Sequence, residues 1–180
     1  MTRSTIQDTD RESIAEFVAA HWGCPLIVTY GQCFYPHQEQ GFIERREGRI
    51  VGLLTYRVHD DQMHLLTLNS TVEGTGIGTS LILQALETAR TQGWRRIWLT
   101  TTNDNVRALG FYQRLGFRLV AVHPGAIDEA RKLKPQIPEI GLHDIPIRDE
   151  LVLELWLKPY LPAPAQHAAT CADGSGRGTP

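Results

Sequence analysis

The sequence predicts a mixed α/β fold, with one central sheet of about six to seven strands flanked by about four helices. Three observations predict it. Segments 41–46, 49–58 and 63–69 are apolar and joined by short polar links, as in an antiparallel meander. Strand–helix–strand patterns then fill 63–123. Between them lies a glycine-dense turn, EGTGIG, at residues 73–78.

The elements follow in order. Thr9 and Glu12 form a capping-box pattern, and Ile14, Phe17, Val18 and His21 then recur at helical spacing, so 10–21 reads as an amphipathic helix. Gly23 and Pro25 end it. Leu26–Tyr30 reads as a strand and Gly31–Gln40 as loop. The meander strands are linked by Glu47-Gly48 and by His59–Gln62. Helix 76–91 puts Ile82, Ala85, Leu86 and Ala89 on one face, and Gly93 stops it. Arg95–Thr102, rich in Ile, Trp, Leu and Thr, reads as a strand. Helix 104–115 carries Ala108, Phe111, Tyr112 and Leu115 in one stripe, with Gly116 at its end. Phe117–His123 returns as a strand, Ala126–Lys134 reads as a short helix, and the alternation of Glu150–Lys158 marks a last strand.

The chain has 180 residues, which suits one core and one domain, expected over 1–160. The remainder, LPAPAQHAATCADGSGRGTP at 161–180, is small, polar and rich in Gly and Pro, and is expected to be disordered. A net charge of −2 gives no reason to expect a nucleic-acid partner. Three cysteines without paired spacing suggest neither a disulfide framework nor a metal site. No apolar run reaches the ~18 residues of a membrane span. The N-terminal MTRSTIQDTD lacks the apolar stretch of a signal peptide. A cytoplasmic location without a membrane partner is the expectation.

The glycine turn carries the chemistry. It is not a P-loop, because Thr79-Ser80 follows Gly78 where Lys-Ser/Thr is needed. It is not the dinucleotide fingerprint either, since Thr79 occupies the third glycine position. The physics of both motifs still applies. Glycines admit a ligand close to the backbone, and the first amides of a helix carry partial positive charge. The amides of residues 74–79 suit an anion with two or more phosphates, although a plain strand-to-helix turn has the same composition.

A second stretch sharpens the reading. TTNDNVRALGFYQRLGF, at 101–117, places Asn105, Ala108, Phe111-Tyr112 and Leu115-Gly116-Phe117 in the order N-x-x-A-x-x-F-Y-x-x-L-G-F. With the glycine turn about thirty residues before it, the chain resembles the GNAT superfamily of acyl-CoA-dependent N-acyltransferases. The resemblance covers residues 3–158 and is specific from Leu65 to Phe117. One position departs from it. Glu73 stands where the family's loop commonly begins with Arg or Gln.

The resemblance implies a GNAT-like fold, with the pantetheine arm of acetyl-CoA in a gap between two parallel strands. It implies a cofactor wall of Thr67, Leu68 and Asn69, and a bulge near Leu68–Ser70 that frees an amide for the thioester oxygen. It implies an anion cradle of Gly74, Thr75, Gly76, Ile77, Gly78 and Thr79, and Asn105 on the cofactor arm. Tyr112 is implied as the acid for the departing sulfur, its alternative being a core aromatic. Arg107 and Arg114 are candidates for phosphate or for plain solvation. His64, Glu73 and Glu150 are the candidate bases, each with an ordinary structural alternative. The acceptor pocket is expected around Trp22–Tyr35 and 126–148, where Trp22, Tyr30, Phe34 and Tyr35 line it or fill core. No metal is expected. The implied activity is acetyl transfer from acetyl-CoA to a primary amine, with a small molecule as the expected acceptor. A non-catalytic acyl-CoA-binding module and a protein or peptide N-acetyltransferase are the alternatives. Many members of the family dimerise, so a homodimer is carried as an expectation.

Overall fold

The computed structural model describes residues 2–72 and 74–157. Glu73 and the expected tail at 161–180 lie outside the described residues. Among the described residues, nine strands and four α-helices form: β1 Thr2–Thr5, α1 Arg11–Trp22, β2 Ile27–Thr29, β3 Gln32–Phe34, β4 Gln40–Arg46, β5 Arg49–His59, β6 Gln62–Ser70, α2 Ile77–Thr91, β7 Arg96–Thr102, α3 Val106–Arg114, β8 Arg118–His123, α4 Ala126–Leu133 and β9 Glu150–Trp156. Seven strands make one sheet in the order β1-β4-β5-β6-β7-β9-β8, and β2 and β3 pair separately as a hairpin.

The meander forms as expected. Glu47 and Asp60 take left-handed φ of 52° and 51° at its two tight turns. Strand alternation then sorts the core. Phe42, Leu54, Met63, Leu65, Ile97 and Leu99 face α2 and its buried Leu81, Ile82 and Ala85. Their neighbours Ile43 and Leu53 face the opposite way and bury Ile14 and Val18 of α1. Gly52 on β5 lets α2 lie flush on the sheet, because a Cβ there would meet Ile77 Cγ2 at 2.5 Å.

Three local expectations change. The capping box lies two residues earlier than the Thr9–Glu12 pattern implied and opens a 3₁₀ turn, Asp8–Asp10, ahead of α1, with Gln7 N donating to Asp10 Oδ2 at 2.8 Å. The expected loop Gly31–Gln40 contains β3 and a short 3₁₀ turn, Pro36–Gln38. Thr2–Thr5 adds an edge strand that hydrophobicity could not announce, since all four residues are exposed. Its pairing to β4 is reinforced by Arg3 Nη2 donating to Glu44 Oε2 at 2.7 Å.

Parallel pairing between β6 and β7 runs only from Gln62–Arg96 to Leu65–Leu99. Beyond that point β6 stays with β5 up to Ser70, and β7 stays with β9 up to Thr102. The two strands therefore part while each keeps a neighbour on its outer side. The register of β6 slips by one residue at Leu66, the bulged position. This corrects the expected bulge at Leu68–Ser70. Thr67 compensates for the slip, its Oγ1 accepting from Thr55 N at 3.1 Å.

Candidate active site

The gap between β6 and β7 opens into two cavities. The first, about 530 Å³, lies between the glycine turn and α3. Gly74 and Gly76 hold φ of 71° and 77°, a region costly for other residues, and a Cβ on either would meet no atom within 4 Å. Gly76 caps α2, and the first bond inside that end is Ser80 N to Gly76 O at 2.9 Å. The amides of Ile77, Gly78 and Thr79 thus have no acceptor among the described residues. Arg107 and Arg114 of α3 line the same cavity.

A second cavity, about 580 Å³, extends from the strand gap toward α4 and the loop after α1. Its lining includes Trp22, Thr29, Thr100, Lys134 and Glu150. Leu68, Asn105, Ala108 and Tyr112 line both cavities, so the two meet at these four residues. Tyr112 is 8 % exposed, and burial pushes the pKa of its hydroxyl well above the usual 10. Glu150 is 5 % exposed, and its carboxylate accepts from Tyr30 N at 3.0 and 3.2 Å.

The segment TTNDN, residues 101–105, organises both sides. Asn105 Oδ1 accepts from Ala108 N at 3.1 Å and starts α3. Asn103 Nδ2 donates to Pro146 O at 2.9 Å, while its Oδ1 accepts from Arg148 N and Asp149 N at 2.9 and 3.0 Å. Asp104 Oδ2 accepts from Leu142 N at 2.9 Å. The long excursion between β8 and β9 is thereby tied to the end of β7. Arg131 adds bonds to Pro138 O and Ile147 O at 2.7 and 2.8 Å.

The profile described as Acetyltransferase (GNAT) family matches residues 8–117. The chain belongs to the GNAT family. It is 40% identical over 143 residues to the uncharacterized protein YdhI of Bacillus subtilis, covering 79% of this chain and 89% of that one. An uncharacterized N-acetyltransferase of Mycobacterium tuberculosis, Rv2669, is 36% identical over 111 residues, or 60% of this chain and 69% of its own length. Among solved structures, the IAA acetyltransferase from Bacillus cereus superposes with a TM-score of 0.66 at 20% identity, covering 87% of this chain and 99% of that one. A Bacillus subtilis acetyltransferase in complex with CoA gives 0.61 at 17% identity, covering 87% and 98%. These two show the fold, a GNAT mixed sheet with helices on both faces. As a GNAT protein the chain is an acyltransferase.

Of the residues singled out from the GNAT resemblance, Gly74, Gly76, Ile77, Gly78 and Thr79 line the first cavity, and Leu68, Asn105 and Tyr112 line both. Asn69 and Thr75 line neither. Asn69 sits opposite Leu53 on β5, and the Thr75 hydroxyl turns back to Val72 O at 2.8 Å, bracing the loop. Among the candidate bases, Glu150 reaches the second cavity, His64 does not, and Glu73 lies outside the described residues. Trp22 lines the second cavity, Tyr30 and Phe34 line a third, and Tyr35 lines none of the three. Sequence reasoning missed Lys134, Asn103 and Asp104, which carry no motif of their own.

The third cavity, about 370 Å³, lies beside the β2–β3 hairpin. There the His64 ring stacks on Trp98 with centroids 3.7 Å apart. Burial first, then the charges of Arg57 and Arg96, lower the His64 pKa to about 4. The unfolded chain, with a histidine near 6.5, therefore binds more protons than the folded one between those values. Stability present above pH 6.5 is lost as pH falls toward 4. Moving from pH 7 to pH 5 is expected to remove about 2 kcal/mol through this residue. Urea unfolding of wild type and His64→Phe at both pH values checks it; equal pH dependence in the two proteins contradicts it.

Proposed function

We propose that the protein transfers an acetyl group from acetyl-CoA to the primary amine of a small molecule, by direct attack while both are bound. The observation that carries this reading is the meeting of two cavities at Leu68, Asn105 and Tyr112, inside the gap between β6 and β7. The first cavity suits the diphosphate and pantetheine of acetyl-CoA. The α2 amides from Ile77 to Thr79 take phosphate oxygens, with Arg107 and Arg114 supplying positive charge beside them. Backbone of β6 beyond Leu65 pairs with the amides of the arm in the manner of an added strand. The side-chain NH₂ of Asn105 serves the arm as well, since its oxygen is already committed to capping α3.

In the reaction the amine nitrogen bonds the acetyl carbon, and the carbon–sulfur bond breaks. A protonated amine with an ordinary pKa near ~10.4 must first lose a proton, at a cost of about 4–5 kcal/mol at neutral pH. Glu150 is the group we assign to take it. An amide of the β6 bulge region stabilises the developing oxyanion. Tyr112, kept protonated by burial, gives its proton to the departing sulfur. The chain is cytoplasmic in this reading, and 1–160 is its N-acetyltransferase domain.

The test is release of free thiol from acetyl-CoA in the presence of a panel of primary amines. Folded protein that releases no thiol with any of them would refute transfer. Calorimetric titration with CoA separates the causes: binding without thiol release assigns a non-catalytic acyl-CoA-binding module, and failed binding by folded protein removes both readings. Gly76→Asp places a carboxylate at the cradle and strains a left-handed position. It is expected to weaken CoA binding about tenfold or more, with affinity by calorimetry as the measure.

A further inference from the structure

Lys134 closes α4, and its side chain turns inward against the second cavity. It is 7 % exposed. Its ammonium donates to Leu26 O at 2.8 Å and makes no ion pair among the described residues. An ammonium has three donors, so two are left without partners among the described residues. A buried cation in this condition is costly, and a burial of this kind persists where a counter-charge arrives. The other charged side chain buried in the lining is Glu150, which is occupied with Tyr30 N. The cavity thus offers one buried cation and one buried anion, surrounded by neutral hydroxyls such as Thr29 and Thr100.

We infer that the acetyl acceptor is a small zwitterion, its amine held toward Glu150 and a carboxylate or phosphate held by Lys134. This rests on the acetyl-transfer reading above and narrows its substrate class. A charged acceptor oxygen would receive the two spare donors, converting an uncompensated burial into a charge-assisted contact. The same contact fixes the acceptor's orientation, because opposite charges at its two ends cannot exchange places. A plain alkylamine leaves the Lys134 charge buried and unanswered. The carboxylate and the phosphate share this chemistry, and matched acceptors separate them.

The experiment measures thiol release from acetyl-CoA with leucine against 3-methylbutylamine, phenylalanine against 2-phenylethylamine, and O-phosphoethanolamine against ethanolamine. In at least one pair the anionic member is expected to exceed its partner by about tenfold or more in kcat/KM. A carboxylate pair winning alone assigns an amino acid, and the phosphate pair winning alone assigns a phosphorylated amine. Lys134→Met should erase the preference by slowing the anionic member selectively, and Lys134→Arg, which keeps the charge, should retain much of it. Plain amines used as well as or better than their anionic partners overturn the inference while leaving acetyl transfer intact. Equal slowing of both members by Lys134→Met also overturns it and makes the residue a tether between α4 and Leu26. No thiol release with any acceptor, from protein that binds CoA, overturns the transfer reading itself and this inference with it.

Discussion

Tyr112→Phe is expected to lower kcat for acetyl transfer by about 10²-fold or more while changing the affinity for acetyl-CoA by less than about threefold. The argument starts from position. Tyr112 sits on α3 where the two cavities meet, and its ring packs on Phe117 and Phe111 at centroid distances of 5.5 and 5.1 Å. Phenylalanine preserves those contacts and removes only the hydroxyl. A departing thiolate has an ordinary pKa near ~8.5, below the ~10 of a phenol, so the proton moves to sulfur only as the carbon–sulfur bond breaks and charge builds there in the same buried surroundings. Burial raises the Tyr112 pKa above 10, so the hydroxyl remains protonated over the whole range in which the enzyme would be assayed. The wild-type rate should therefore show no fall on the alkaline side below about pH 10 from this group. Pre-steady-state thiol release and calorimetry together decide the matter. An unchanged kcat at saturating acetyl-CoA makes Tyr112 a core aromatic and nothing more.

Glu150→Gln is expected to cost about 10²–10⁴-fold in kcat at neutral pH. Glutamine keeps the size and can still accept from Tyr30 N, so the β2–β3 hairpin retains its anchor to β9. What is lost is the carboxylate proposed to remove the amine proton. The variant should then depend on amine that is already neutral, and its rate should climb about tenfold per pH unit up to roughly pH 10. Wild type should show a much shallower rise. A Glu150→Gln variant whose rate stays close to that of wild type, or one with the wild-type pH profile, would reassign Glu150 to holding the hairpin.

The parts of this fold that were legible in the sequence are those in which a periodic pattern and a burial pattern coincide. The meander, α2 and α3 each present one apolar face to one side, and alternation or helical spacing records it directly. β1 left no such record, because its place depends on backbone pairing to β4 and on the Arg3–Glu44 ion pair. β3 was hidden because Gln32 and Cys33 are exposed and only Phe34 is buried. The bulge at Leu66 was misplaced for a related reason. Its register is set jointly by β5 and by the Thr55–Thr67 hydroxyl contact, which lies twelve residues apart in sequence.

The site divides in the same way. Gly74, Gly76 and Gly78 announce themselves, because a turn that presents free amides needs small residues in consecutive reach. Tyr112 and Asn105 are found by their spacing within a resembling segment. Lys134 has no such signature. It follows Leu133 in a charged helix and reads as a solvated end, and only the approach of Leu26, 108 residues away, turns it inward. Glu150 was one of three candidate bases, each with an ordinary structural alternative, and only the pairing of β9 with β7 reveals that it lies beside Thr102.

Asn103, Asp104 and Asn105 are consecutive, and each fastens a different piece: the strand leading into β9, the turn at Leu142, and the first turn of α3. The floor on which an acceptor rests and the helix that presents Tyr112 are thus surveyed from one benchmark. Errors in their relative placement cannot accumulate along the intervening stretch of chain, because the measurement is taken across three neighbouring side chains instead. Under the proposed transfer, alignment of Tyr112 with the acceptor is a local property, fixed at the tip of β7.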